Sequence, residues 1–173
     1  MREDVRFLRA LIPASVRALS AGYYSPAQIE AAIEQIFGVD TALIDDGTYF
    51  VAVTPGGLVG AGGWSRRRTL FGGDRWKGDA LDDWLDPATE AARIRAFYVD
   101  PGWARRGIGR AILRRCESEA RAEGFLRAEL LATLPGVPLY AAMGYAAIEP
   151  AEVAMAGGLT LPGLRMGKAF AAP

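Results

Sequence analysis

The chain has 173 residues, a length that suits one domain with a proper hydrophobic core. Twenty Lys+Arg balance twenty Asp+Glu, and 51% of residues are hydrophobic against 23% charged, which argues for a globular protein and against a general nucleic-acid or anionic-membrane binder. One cysteine, Cys116, and no histidine exclude an internal disulfide framework, a Cys/His zinc site and any Ser-His or Cys-His catalytic pair. The expectation is a single metal-free domain over residues 1–173, working without imidazole. The apolar N-terminal stretch is broken by Arg9 and Arg17 and is no signal peptide. Cytoplasmic location is the default.

Val5, Leu8, Ile12, Val16 and Leu19 recur at three- and four-residue spacing and predict a first helix. Pro13 lies in that stripe without an N–H, so a kink or restart is expected there. Ser25-Pro26 opens a second helix through Ile29, Ile33 and Ile36, stopped by Gly38. The charge-free run from Gly47 to Ser65 contains six glycines and Pro55, so it reads as a hairpin, Thr48–Thr54 and Leu58–Trp64, rather than a membrane span. Residues 65–90 form a long loop with room for a short helix. Beyond it, Ala92–Val99 is a strand, Gly107–Glu123 a helix, Leu126–Ala132 a strand and Val137–Met143 a short helix. Gly144-Tyr145 starts another strand, and Leu164–Phe170 is the last. Strand, helix, strand implies one parallel pair by a right-handed crossover, and the flanking hairpins imply antiparallel neighbours. The fold class is therefore α/β (α+β, mixed sheet).

The chemistry concentrates between Ile94 and Leu113. There a strand ends, a turn follows, and a helix begins at Gly107-Ile108-Gly109. A helix N-terminus presents unpaired N–H groups and partial positive charge, and glycine lets an anion approach the backbone. Arg105, Arg106 and Arg110 add charge-assisted donors, so a diphosphate is the natural guest. A dinucleotide fingerprint from Gly107 would need a small residue where Ile112 stands, and a Walker loop has no counterpart.

Ala104-Arg-Arg-Gly-Ile-Gly109 resembles the strand-to-helix signature of the GNAT superfamily of acyl-CoA-dependent N-acyltransferases, and Phe97–Pro101 and Pro138–Tyr145 are similar to family segments in family order. The resemblance implies a GNAT-type fold: a mixed, mainly antiparallel sheet with helices on both faces. It also implies transfer of an acetyl group from acetyl-CoA, the co-substrate, to a primary amine of a small molecule or peptide, by direct attack and with no metal. By the same resemblance the N–H groups of Arg105, Arg106, Gly107, Ile108, Gly109 and Arg110 bind the pyrophosphate. The strand end at Phe97, Tyr98 and Val99 pairs with the pantetheine, with the Val99 N–H facing the thioester carbonyl. Tyr140 is the acid that protonates the leaving thiolate. Thr133 stands where many members have Asn, and Ala104 where the signature has Gln or Arg. The family's edge strand before the first helix has no counterpart.

For the proton of the attacking amine the residues offer a carboxylate, Glu90 or Asp86, or a water chain. Glu30, Glu34, Asp40, Asp45 and Asp46 lie in a stretch without Lys or Arg, Ala18 to Ser65, and suggest either a cationic acceptor or a solvated surface. Arg66–Arg68 read as a solvated loop or a phosphate reader, Trp76 and Trp84 as acceptor-pocket walls or core cover, and Cys116 as a buried hydrophobe. A non-catalytic acyl-CoA sensor is the alternative to an enzyme. A nucleic-acid binder fits the zero net charge poorly, and a homodimer stays open.

Overall fold

The computed structural model describes residues 4–77 and 83–170, so part of the loop at 65–90 lies outside the described residues. Helix α1 (Val5–Ser20) buries Leu8, Leu11, Ile12 and Val16 together with two serines, Ser15 and, at its C-terminal end, Ser20. It runs through Pro13 without the expected restart, because the buried stripe continues on both sides of the missing N–H. Helix α2 (Pro26–Gln35) opens with a capping box: Ser25 Oγ accepts the Gln28 N–H at 3.2 Å and Gln28 Oε1 accepts the Ser25 N–H at 2.9 Å. It ends at Ile36, ahead of Gly38. Helix α3 (Thr41–Asp45), capped by the Asp40 carboxylate at 3.3 Å from the Leu43 N–H, is too short to leave a periodic signal.

The strands are β1 (Tyr49–Thr54), β2 (Gly57–Ser65), β3 (Ala92–Val99), β4 (Arg127–Thr133), β5 (Ala146–Ala154) and β6 (Thr160–Ala169). The remaining helices are α4 (Asp74–Lys77), α5 (Ile108–Ala122) and α6 (Val137–Ala142). Strand β6 starts four residues before the sequence expectation, because Pro162 and Gly163 read as loop. Strand β4 ends opposite Gly163, so Pro162 pairs only with β5 and its missing N–H interrupts no second ladder. No helix among the described residues is long and apolar enough to cross a membrane.

The six strands form one sheet in the order β1-β2-β3-β4-β6-β5, with β3–β4 the parallel pair. Helices α1 and α2 pack on one face, and α5 with α6 on the other. Strand β2 is glycine-rich for a packing reason. A Cβ at Gly60 would stand 2.6 Å from Ile108, and one at Gly62 2.8 Å from the Phe97 ring, so the bare strand lets α5 lie close. Cys116 lies fully buried on α5, where burial pushes its thiol well above the ordinary value and keeps it inert.

What positions the site is a split in this sheet. Strands β3 and β4 pair only at Ala92–Ala128 and Arg93–Glu129. Further along, Ala96 has φ 58° and the β2–β3 register slips. The slip leaves Arg95 and Ala96 both toward the α1 face, before Phe97 turns toward α5 and Tyr98 back toward α1. A bulge of this kind bends its strand and ends pairing. The C-terminal halves of β3 and β4 therefore part into a V.

Candidate active site

The walls of the V are main chain. Asp100 N–H donates to Val59 O at 2.9 Å, so the alternation of a strand turns the main-chain groups of Tyr98 toward β2 and those of Phe97 and Val99 into the split. Tyr98 is placed apart from its two neighbours. Its backbone is taken up by β2, and its buried ring packs edge-on against Phe37 at 6.3 Å on the α1 face. The Val99 N–H has a partner that the sequence did not foresee, Ser15 Oγ of α1 at 3.1 Å. The Phe97 N–H, two residues back along the same edge, is the next donor facing the split.

At the mouth of the V, a turn over Pro101–Trp103 leads to α5. Arg105 and Gly107 both have positive φ, 63° and 85°, and the first helical bond of α5 runs from Ala111 N–H to Gly107 O. None of the backbone N–H groups from Arg105 to Arg110 has a protein partner among the described residues. Successive N–H groups converging in such a turn form an anion cradle, reinforced by the positive end of the helix. The two glycines differ in what they do. Gly107 supplies the left-handed backbone, and nothing stands within 4 Å of where its Cβ would be. Gly109 instead makes room for packing, since its Cβ would lie 3.0 Å from Leu139 and 3.9 Å from Val99. Arg105, Arg110 and Arg114 have no carboxylate partner among the described residues, and Arg106 stacks on Trp103 at 4.9 Å.

Tyr140, on α6, closes the inner end. Its ring meets Phe97 edge-on at 6.1 Å and Tyr145 at 5.9 Å, and both it and Thr133 Oγ1 flank Gly136. Burial pushes the Tyr140 phenol well above its ordinary value, so it holds its proton across the physiological range. Phe97, Val99, Thr133, Tyr140 and the 105–110 turn, which the family resemblance names, therefore lie around the split.

A family model, "Acetyltransferase (GNAT) family", matches residues 14–145. The chain belongs to the GNAT acetyltransferase family. It is an acetyl-CoA-dependent N-acetyltransferase. Its fold is similar to that of a GCN5-related N-acetyltransferase from Rhodopseudomonas palustris (23% identity, 98% of this chain and 92% of that one, TM-score 0.68). It is also similar to the PaiA N-acetyltransferase from Thermoplasma acidophilum, solved with coenzyme A (17%, 97% and 94%, 0.65). A third similar fold is a ribosomal-protein-alanine N-acetyltransferase from Brucella melitensis (16%, 98% and 96%, 0.61). No curated protein sequence matches the chain.

Several charges of this GNAT acetyltransferase are committed elsewhere. Glu90 accepts the Asp86 N–H and pairs with Arg68, both of which hold its carboxyl below the usual range. Asp86 caps Ala88 and Thr89. Both lie before the start of β3, roughly 20 Å along the strand from Phe97. In the acidic third, Glu30 pairs with Arg17, Asp40 with Arg95, and Asp46 bidentately with Arg67 at 2.7 Å. The arginines arrive from outside that stretch, so at least three of its five carboxylates are paired. The Arg66–Arg68 loop is likewise neutralised, by Glu123, Asp46 and Glu90, while Trp84 stacks on Arg66 and Arg67. Trp84 therefore covers the arginine loop. Trp76 does line a cleft of about 380 Å³ on the α1 face, with Phe71, Leu131 and Val153, and with the Glu149–Arg165 pair at its polar end.

Two residues that sequence reasoning missed hold the site's frame. Tyr24 Oη donates to Pro162 O at 2.6 Å and accepts the Leu134 N–H at 2.8 Å, tying the end of β4 to β6. Arg95, buried on β3, pairs with buried Asp40 and donates to Thr69 O and Gly72 O. An arginine inside a strand carries no sequence mark of burial. Its partners lie 23 to 55 residues away.

Proposed function

We propose that the diphosphate of acetyl-CoA binds at Arg105–Arg110, that its pantetheine pairs with the main chain of Phe97 and Val99, and that Tyr140 acts as the acid. The observation that carries this reading is the run of unpaired N–H groups at the mouth of the split. The arginines around it that lack carboxylates add charge-assisted donors for phosphate oxygens. The thioester supplies the activated acetyl group. Because Ser15 already holds the Val99 N–H, the role at the thioester carbonyl expected of Val99 passes to the Phe97 N–H, and such a fixed donor acts without reorganisation. Tyr140 keeps its proton until a thiolate departs beside it and then donates from the buried side. Residence in one cleft supplies proximity, and no histidine or nucleophile of the chain is needed.

The acceptor is a primary amine of a small molecule or peptide, approaching from the α1 face along the cleft of Trp76 and Leu131. On that face the Glu129 carboxyl is half-buried, but Arg165 and Arg93 hold it below the usual range, which makes it a poor base. A water chain remains to remove the amine's proton. The test is an amine panel with acetyl-CoA, read as free thiol, on wild type and Tyr140→Phe. Retained acetyl-CoA affinity with turnover down about a hundredfold supports the reading. Unchanged turnover overturns the role of Tyr140.

A further inference from the structure

Ser15 lies inside the apolar stripe of α1, where a polar side chain has no packing purpose. It is 4% exposed, and its hydroxyl accepts the Val99 N–H at 3.1 Å. Helix α1 reaches both the turn after β3 and the turn after β4, so it crosses the V on the face opposite α5. Val99 is also the point where the split meets the anion cradle, next to Gly109. The Ser15 hydroxyl thus holds one of the two main-chain donors that the strand edge turns into the cleft.

We propose that Ser15 is a positioning residue that competes with the acyl donor for the Val99 amide: it holds this N–H until a pantetheine carbonyl displaces it, and takes it back when coenzyme A leaves. The inference rests on the donor site proposed above. One N–H makes one good hydrogen bond, so the two acceptors exclude each other. The displaced hydroxyl is not stranded, because a serine inside a helix can bond to the carbonyl four residues earlier, here that of Leu11. The exchange is therefore nearly balanced. It keeps the strand edge satisfied in the absence of donor and weakens the grip on both acetyl-CoA and product, which favours release.

The test is the affinity of the intact protein for acetyl-CoA and coenzyme A, by calorimetry, in wild type and Ser15→Ala. Removing the competitor should tighten both about three- to tenfold, a gain that damage to packing would not produce. Equal or weaker binding by Ser15→Ala overturns the inference while leaving the donor site standing. Absence of binding by both proteins overturns the donor site and the inference together. A second measurement needs no variant. The Val99 amide resonance of 15N-labelled wild type should shift on saturation with coenzyme A, and an unmoved resonance overturns the exchange.

Discussion

Two arginine clusters that look alike in sequence do different things in the structure. Arg66–Arg68 meet Glu123, Asp46 and Glu90 one for one, and Trp84 lies over two of them. Arg105, Arg110 and Arg114 meet no carboxylate among the described residues, and they ring a turn whose backbone N–H groups also lack partners. A paired guanidinium has spent its donors on the fold, whereas an unpaired one beside unpaired amides is available to a ligand. Charge counting cannot separate the two cases, but a list of partners can.

That contrast can be broken by substitution. The largest effect belongs to Arg95, the most deeply paired arginine. Arg95→Ala leaves Asp40 buried without its partner and should cost about 3–5 kcal/mol in chemical denaturation, a large part of the stability of a typical domain. Alkaline pH comes next. Burial raises the phenols of Tyr49, Tyr98, Tyr140 and Tyr145, so the folded state keeps protons that unfolded tyrosines release near pH 10. Their contribution is complete below that pH and is lost as pH climbs above it, by up to about 1.4 kcal/mol per phenol and pH unit. Acetyl-CoA affinity, which depends on guanidinium and amide donors, should stay flat from pH 7 to 10.

Gly107→Val forces a β-branched residue into φ 85° and should weaken acetyl-CoA binding more than tenfold, with a modest fall in Tm. Arg105→Ala with Arg110→Ala should weaken it about tenfold at low salt, and less as salt rises. The matched pair, Arg66→Ala with Arg68→Ala, sharpens the comparison. It should leave donor binding unchanged and shift stability by less than about 1 kcal/mol. Equal losses of affinity from the two pairs would erase the distinction.

The sequence carried the architecture well wherever the signal was local. The stripe of α1, the Ser25-Pro26 cap, the hairpin and the strand–turn–helix at Gly107 all stand where neighbouring residues place them. The 105–110 turn was legible for the same reason, since its glycines and arginines are contiguous, whereas Phe97 and Val99 were marked only by the family resemblance. What was hidden depends on distant partners. The parity of the strand, which turns Tyr98 away and Phe97 inward, is set by a bulge at Ala96 that alanine does not announce. The neutralisation of Glu30, Asp40 and Asp46 comes from arginines outside their own stretch. The bond from Val99 to Ser15 spans 84 residues, and nothing near either residue foretells it.

The reading rests above all on main-chain amides at the start of α5 holding the diphosphate of acetyl-CoA. A crystal structure of the protein with acetyl-CoA tests it most directly. Diphosphate oxygens should lie within hydrogen-bonding distance, about 3 Å, of the N–H groups between Arg105 and Arg110. A diphosphate seated anywhere else, such as against the Arg66–Arg68 loop, would contradict it.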